Sequence, residues 1–220
     1  MTHQRRRVLL ADDHAMFREG LRHVLERSGE FSVVGEAGSA SETLDTIRRT
    51  PAEVLVLDLS MPGRSGTDLI RQVRAARPEL PILVLSMHPE DQYAVRVLAA
   101  GASAYLTKYT RAEVLLQALR RVAEGGRYIG ETVAELLAQQ LQPRGTPERH
   151  DALSDREFQI LHALVEGESV SEIAQRLHLS VKTVSTHKTN VLRKLHCHNL
   201  AELVRYALAH GIGSGHPDPA

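Results

Sequence analysis

The chain has 220 residues with 27 basic and 27 acidic side chains, so zero formal net charge points by bulk to neither nucleic acid nor a membrane surface. One cysteine excludes an intramolecular disulfide framework and fits a reducing compartment. The start MTHQRRRVLL has positive charge but no long apolar stretch before ADD, so neither a secretory signal nor a membrane span is expected, and the protein reads as cytoplasmic with no membrane partner.

In chain order, RVLLAD is a strand, followed by a helix from about Met16 to Arg27, and FSVVGEA is a second strand. Ser39 to Glu42 has capping-box spacing and opens a helix that ends before Pro51. VLVLD is the third strand and GTDLIRQVRAA the third helix; PILVLS is the fourth strand, with a helix near Asp91 to Ala100 after it. AYLT is the fifth strand, and Thr110 to Glu113 is expected to cap a last helix through about Glu124. Strands alternating with helices imply right-handed crossovers and a doubly wound parallel sheet, an α/β domain over residues 1–125.

From Gly125 the pattern breaks. Residues 126–150 read as a linker with a short helix from Thr132 to Gln140. Strand signals then vanish: capping boxes at Ser154/Glu157, Ser169/Glu172 and Asn199/Glu202, with Ser180 as a further N-cap, predict an all-α four-helix unit over 151–211. Residues 212–220 read as a disordered tail.

Ligands of an open parallel sheet bind outside the carboxyl ends of its strands, at the point where strand order reverses. Strand one ends in Asp12 and Asp13, strand three in Asp58, strand four in Ser86, and strand five in Thr107 and Lys108. Singly these have plain explanations: an Asp pair caps a helix, and a lone lysine is solvated. Together, three clustered carboxylates repel unless a cation sits among them, and Mg²⁺ is the hard ion that suits an all-oxygen set. A lysine and a hydroxyl beside them suit a phosphoryl group, and Asp58 can act as a carboxylate nucleophile.

LLADDH, VLVLDLSMPGRSG, ILVLSMH and GASAYLTK together resemble the receiver domain of two-component response regulators, a flavodoxin-like (βα)5 fold, across about residues 7–125. The resemblance implies that Asp58 accepts phosphate from a sensor histidine kinase. It also implies that Asp13 binds Mg²⁺ directly, Asp12 largely through water, and the Ser60 backbone carbonyl as a further ligand. Ser86 and Lys108 would contact the phosphoryl oxygens, and Tyr105 matches the aromatic whose rotamer follows Ser86. Tyr109, after Lys108, departs from the proline, acidic or small residue many receivers carry there.

In the second unit, residues 151–172 hold six acids against Arg156, whereas 181–196 hold Lys182, Lys188, Arg193 and Lys194 and no acid, an electrostatic footprint for phosphates. Val181, Val184, Val191, Leu192 and Leu195 form one apolar stripe. The opposite face carries Lys182, Thr183, Thr186, Thr189, Asn190 and Arg193, with Ser185 at its edge, as suits a helix in the major groove. LSDREFQIL, EGESVSEIAQRLHLSVKTVSTHKTNVLRKL and NLAELVRYALAHGI resemble the LuxR-type helix-turn-helix, and the whole resembles the NarL/FixJ response regulators. By that resemblance Ser185, Thr186 and Thr189 face base edges, Lys182, Lys188 and Arg193 contact backbone, and Val204, Ala207 and Leu208 pair two DNA-bound copies. The family more often has a glycine and an arginine near the turn at HCHNL; Cys197 there reads as a small buried filler.

The expectation is therefore a non-enzymatic, phosphorylation-controlled transcription factor that needs Mg²⁺ and dimerises on promoter DNA, with RNA polymerase as a candidate further partner. Two rivals are a phosphorylation-independent DNA binder with a relic receiver, and a Mg²⁺-dependent aspartyl phosphatase. The second would place another acid two residues after its nucleophile, where Ser60 stands.

Overall fold

All five residues of Val54–Asp58 (β3) are buried, as befits a strand covered on both faces. In the computed structural model, which describes residues 5–61, 66–87, 90–140, 149–177 and 179–212, β3 lies at the centre of a five-stranded parallel sheet. Its neighbours are β1 (Arg6–Ala11) and β4 (Ile82–Ser86), and β2 (Phe31–Ala37) and β5 (Ala104–Thr107) form the edges, in the order β2-β1-β3-β4-β5. The crossover helices are α1 (Ala15–Arg27), α2 (Ala40–Arg49), α3 (Gly66–Ala76), α4 (Glu90–Ala99) and α5 (Ala112–Ala123). The chain leaves β1 outward to β2 and returns to its other side at β3, so the strand order reverses between β1 and β3. Register places Ala11 beside Leu57, Asp58 beside Leu85 and Ser86 beside Thr107, which aligns the carboxyl ends of four strands.

One face of the sheet is sealed by α1 and α5 over Val8, Leu10, Val56, Leu83 and Leu106. At the start of α3, Gly66 has no room for a side chain: a Cβ would fall 2.6 Å from Leu59 Cδ2 and 3.0 Å from Leu59 Cα. That close approach pins the residue following Asp58 under α3.

Ser39 caps α2 as its spacing predicts, accepting from the Glu42 N–H at 3.3 Å. Thr110 does not cap α5. Its N–H donates to the Thr107 carbonyl at 3.0 Å, which places it in the turn leaving β5, and Arg111 stands at the N-cap without a side-chain bond. Beyond α5, Tyr128 forms a parallel bridge with Ala104 on the outer edge of β5, and α6 (Glu131–Gln140) packs against α4 with Val133 buried. The segment expected as linker thus adds α6 to the first compact unit. Much of the remaining linker, residues 141–148, lies outside the described residues.

The second unit follows a short 3-10 turn at Arg149–Ala152 and comprises α7 (Asp155–Val165), α8 (Val170–Arg176), α9 (Val181–Leu195) and α10 (Leu200–Ala209). Ser154/Glu157 and Ser169/Glu172 are complete capping boxes. The third is not: Asn199 accepts from the Glu202 N–H, but Glu202 Oε2 accepts from the His198 N–H rather than that of Asn199. Phe158, Leu161, Ile173, Val184, Val191, Leu195, Leu203 and Ala207 form the core. Three expectations need correcting. Val181 is 51% exposed, because the buried stripe of α9 begins only at Val184. Ala207 is fully buried within its own unit and has no surface to offer a second copy. Cys197 is half-buried rather than core, in the turn closed by its N–H to the Leu192 carbonyl at 2.8 Å. The αL conformation that ends α9 falls to His196, at φ 55°, where glycine would be unstrained. The fold also extends one residue into the expected tail, since Ile212 is buried; residues 213–220 lie outside the described residues.

The link between α7 and α9 is testable. Glu157 Oε2 accepts from Lys194 Nζ at 2.6 Å and from the Ser154 N–H at 2.8 Å. Burial pushes the Glu157 carboxyl up, but the bonds from Lys194 and Ser154 more than offset it and hold it below its usual 4.5. A carboxyl lowered by folding stabilises above its unfolded pKa, and that stability is lost as pH falls through the folded value. Glu157→Gln is expected to cost roughly 2 kcal/mol at neutral pH and to flatten the acid-side loss of amide-exchange protection in α7 and α9. Unchanged protection at neutral pH would remove this pair from the account.

Candidate functional site

The strand ends meet as their register requires. Lys108, the residue after β5, is set by its N–H bond to the Ser86 carbonyl at 2.8 Å, and its side chain runs back across the crevice. Its ammonium lies 2.8 Å from Asp58 Oδ2 and 2.7 Å from Asp12 Oδ2, with the three side chains no more than 5% exposed. The same ammonium sits 4.6 Å from the centroid of the Phe17 ring on α1, which adds a cation–π contact. Asp58 Oδ1 accepts the Ser60 N–H at 3.0 Å. Asp12 is fixed from the other side: Arg18 on α1 donates to its carbonyl, and its Oδ1 accepts the His14 N–H at 2.8 Å.

Two charge effects compete here. Burial pushes the Asp58 carboxyl above the usual carboxylate range, against the pull of Lys108. For Lys108, burial alone would lower the ammonium, but Asp58 and Asp12 more than offset it and hold it above its ordinary value. The lysine is therefore a cation throughout the neutral range, and its charge opposes the burial that disfavours the ionised form of Asp58. Asp13 Oδ1 is buried and faces the His14 Nδ1 at 2.9 Å. Ligand atoms from Asp12, Asp13, His14 and Asp58 all lie within 4.8 Å of one another. Three carboxylates crowded this closely are an oxygen donor set that fits Mg²⁺.

The second candidate site is the exposed side of α9. Lys182, Ser185, Thr186, Thr189 and Arg193 are exposed, while Thr183 and Lys188 are half-buried at its margins. Thr186 and Thr189 donate to the carbonyls of Lys182 and Ser185, each at 3.0 Å. Their methyls and remaining lone pairs face outward, so these hydroxyls can accept hydrogen bonds but not readily donate them. Lys194, counted in the basic run, points inward to Glu157 and to the Ala152 carbonyl. Between these faces, burial holds the His187 imidazole below its ordinary pKa.

Two family models match along the chain: the response regulator receiver domain over residues 8–120, and the luxR family of bacterial regulatory proteins over residues 151–207. The protein is a response regulator of the NarL/FixJ subfamily. The regulator is 35% identical over 206 residues to response regulator UvrY of Escherichia coli K12, covering 93% of this chain and 94% of that one. It is 33% identical over 207 residues to response regulator GacA of Pseudomonas aeruginosa, covering 94% and 97%. Among solved structures it is similar to RcsB of Salmonella enterica serovar Typhimurium bound to promoter rprA with the phosphomimetic BeF3⁻, at 30% identity, TM-score 0.61, and 92% and 98% coverage. It is also similar to the response regulator ChrA of a heme-sensing two-component system, at 32% identity, TM-score 0.52, and 94% and 98% coverage. The regulator thus pairs a flavodoxin-like receiver with a LuxR-type DNA-binding unit.

Of the residues singled out from the sequence, the regulator gathers Asp12, Asp13, Asp58 and Lys108 into one cluster. It sets the fully buried Ser86 at the adjacent strand end, and Ser60 reaches Asp58 through its amide. Tyr105 is buried. His14 was missed, although it directly follows the Asp pair in the sequence. None of the described helices is long and apolar enough to cross a membrane.

Proposed function

We propose that Asp58 of this regulator takes a phosphoryl group from a sensor histidine kinase, and that the modified receiver promotes dimers which bind paired half-sites through α9. The observation that carries the reading is Asp58 itself, a buried carboxylate at the strand-order reversal with a lysine ammonium on one oxygen and two further acids beside it. A carboxylate oxygen of Asp58 attacks phosphorus. The bond from phosphorus to the donor nitrogen breaks, and its electron pair leaves with the imidazole. Lys108 turns from the carboxylate to the incoming phosphoryl oxygens, and the Ser86 hydroxyl donates to another. Asp12, Asp13, Asp58 and the Ser60 carbonyl would hold Mg²⁺, which supplies charge neutralisation for the phosphoryl oxygens. Tyr105 then follows Ser86, giving a two-state face. The protein contributes no metabolic turnover; transcription is its output, in the cytoplasm, with RNA polymerase as a further partner.

Acetyl phosphate with Mg²⁺ is expected to shift the wild-type chain from monomer toward dimer on sizing and to tighten its binding to a selected promoter fragment. An unchanged size and affinity after one phosphate is gained would sink the switch. Within α9, Thr186→Ala is expected to lower the ratio of specific to random DNA affinity about fivefold. Lys182→Ala should weaken both alike and reduce the salt slope by about one. Equal loss on both DNAs for both variants would contradict the division of labour along the helix.

A further inference from the structure

The hydroxyl protons of Thr186 and Thr189 are already committed. Thr186 Oγ1 donates to the Lys182 carbonyl and Thr189 Oγ1 to the Ser185 carbonyl, each at 3.0 Å, although both side chains are exposed on the outer face of α9. A threonine bonded in this way turns only a methyl and acceptor lone pairs to whatever lies opposite. The two stand three residues apart, about 60° around the helix and about 4.5 Å along it. An α9 inclined in the major groove therefore lays them over neighbouring base pairs. A further apolar group joins them at the amino end, where Val181 is 51% exposed in the turn before Ser185. The one arginine of α9, the side chain type that grips guanine with a fork, donates instead to Asn190 Oδ1 at 3.4 Å, in the last two turns of the helix.

We infer that Thr186 and Thr189 read A·T base pairs and reject G·C, so that the half-sites of this regulator carry adjacent A·T pairs beneath α9. The inference rests on the reading of α9 as the groove-facing helix, and it names what that helix selects. An A·T pair offers in the major groove the two features that these side chains complement. The adenine N6 amine donates to a threonine lone pair, and the thymine C5-methyl packs on a threonine methyl. Guanine presents two acceptors, N7 and O6, against oxygens whose protons are held by the helix. Turning a hydroxyl to donate there would break its bond to the Lys182 or Ser185 carbonyl. Cytosine supplies an amine but no methyl, so it satisfies at most half of the contact. Ser185 adds little choice, since a serine hydroxyl rotates to give or to accept.

The test selects binding sites from random duplex DNA with the full chain treated with acetyl phosphate and Mg²⁺. Affinities are then measured for the selected site carrying uracil for thymine, or purine for adenine, at each half-site position. Selection is expected to enrich two adjacent A·T pairs in each half-site. At those positions uracil, which lacks only the C5-methyl, should weaken wild-type binding about fourfold per methyl. Purine, which lacks the amine, should weaken it about fivefold. Thr186→Ser and Thr189→Ser keep the hydroxyl and lose the methyl, so each should be indifferent to uracil at its own position while still sensing purine. Thr186→Val and Thr189→Val should reverse that pattern. Both positions are exposed, so these exchanges leave the fold intact. Selected half-sites without adjacent A·T pairs, a wild-type chain indifferent to uracil and purine, or uracil sensitivity that survives in both serine variants would overturn the inference while leaving α9 as the reading helix. Binding without any enrichment, together with variants that lose no affinity, would overturn that reading as well.

Discussion

Asp58→Ala is expected to take up no phosphate from acetyl phosphate and Mg²⁺, where the wild-type chain should gain one phosphoryl group by intact mass. The expectation follows from geometry rather than from counting acids. Asp12 and Asp13 belong to the same cluster, but only Asp58 ends the central strand, with one oxygen on Lys108 and the other on the Ser60 amide. Those two donors fix the carboxylate in place before the phosphoryl donor arrives. The substitution also removes a charge that burial disfavours, and it leaves Lys108 paired with Asp12 at 2.7 Å. The variant should therefore fold at least as well as the wild type, keep its basal affinity for random DNA, and lose only the shift toward dimer. Residual labelling mapped to Asp12 or Asp13 would show that the cluster has more than one nucleophile.

The sheet was legible because a parallel strand buried on both faces writes itself as an unbroken apolar run. VLVLD and ILVLS became β3 and β4 with every residue buried. The convergence of strand ends was legible for the same reason, since topology alone decides where they point. What failed depended on neighbours. Thr110 has the right spacing to Glu113, but the Thr107 carbonyl captures its N–H and the turn leaves it outside the helix. Val181 lies in phase with the apolar stripe, yet the core of the second unit reaches α9 only from Val184 onward. Lys194 sits in a basic run, and only the packing of α7 on α9 brings it to Glu157, 37 residues away. His14 escaped because its place beside Asp12 and Asp13 depends on the turn after β1, where its backbone N–H bonds to Asp12 Oδ1, and no spacing rule encodes that.

Lys108→Met should be the most destabilising single change in the crevice, and the damage should be repaired by Mg²⁺. The side chain removed is the counter-charge of two carboxylates, Asp12 at 2.7 Å and Asp58 at 2.8 Å, in a place where lysine and both acids are nearly sealed from water. Breaking a buried pair from one side costs about 3–5 kcal/mol, because the remaining charge keeps its desolvation penalty without its partner. Here one cation serves two acids, so both are left facing each other. Methionine keeps most of the packing against Phe17 and isolates the loss of charge. Added Mg²⁺ at 100 times its dissociation constant would return about 2.7 kcal/mol by mass action. The thermal midpoint of the receiver should fall sharply in EDTA and recover with Mg²⁺ by more than the wild type gains. Labelling of Asp58 should then be slow, and because the phosphoryl oxygens lack the ammonium that ties them to β5, dimer formation should not follow. If Lys108→Met were as stable as the wild type in EDTA, Asp58 would have to be taking up a proton in the fold, and the resting site would be held by a shared proton rather than by the lysine's charge.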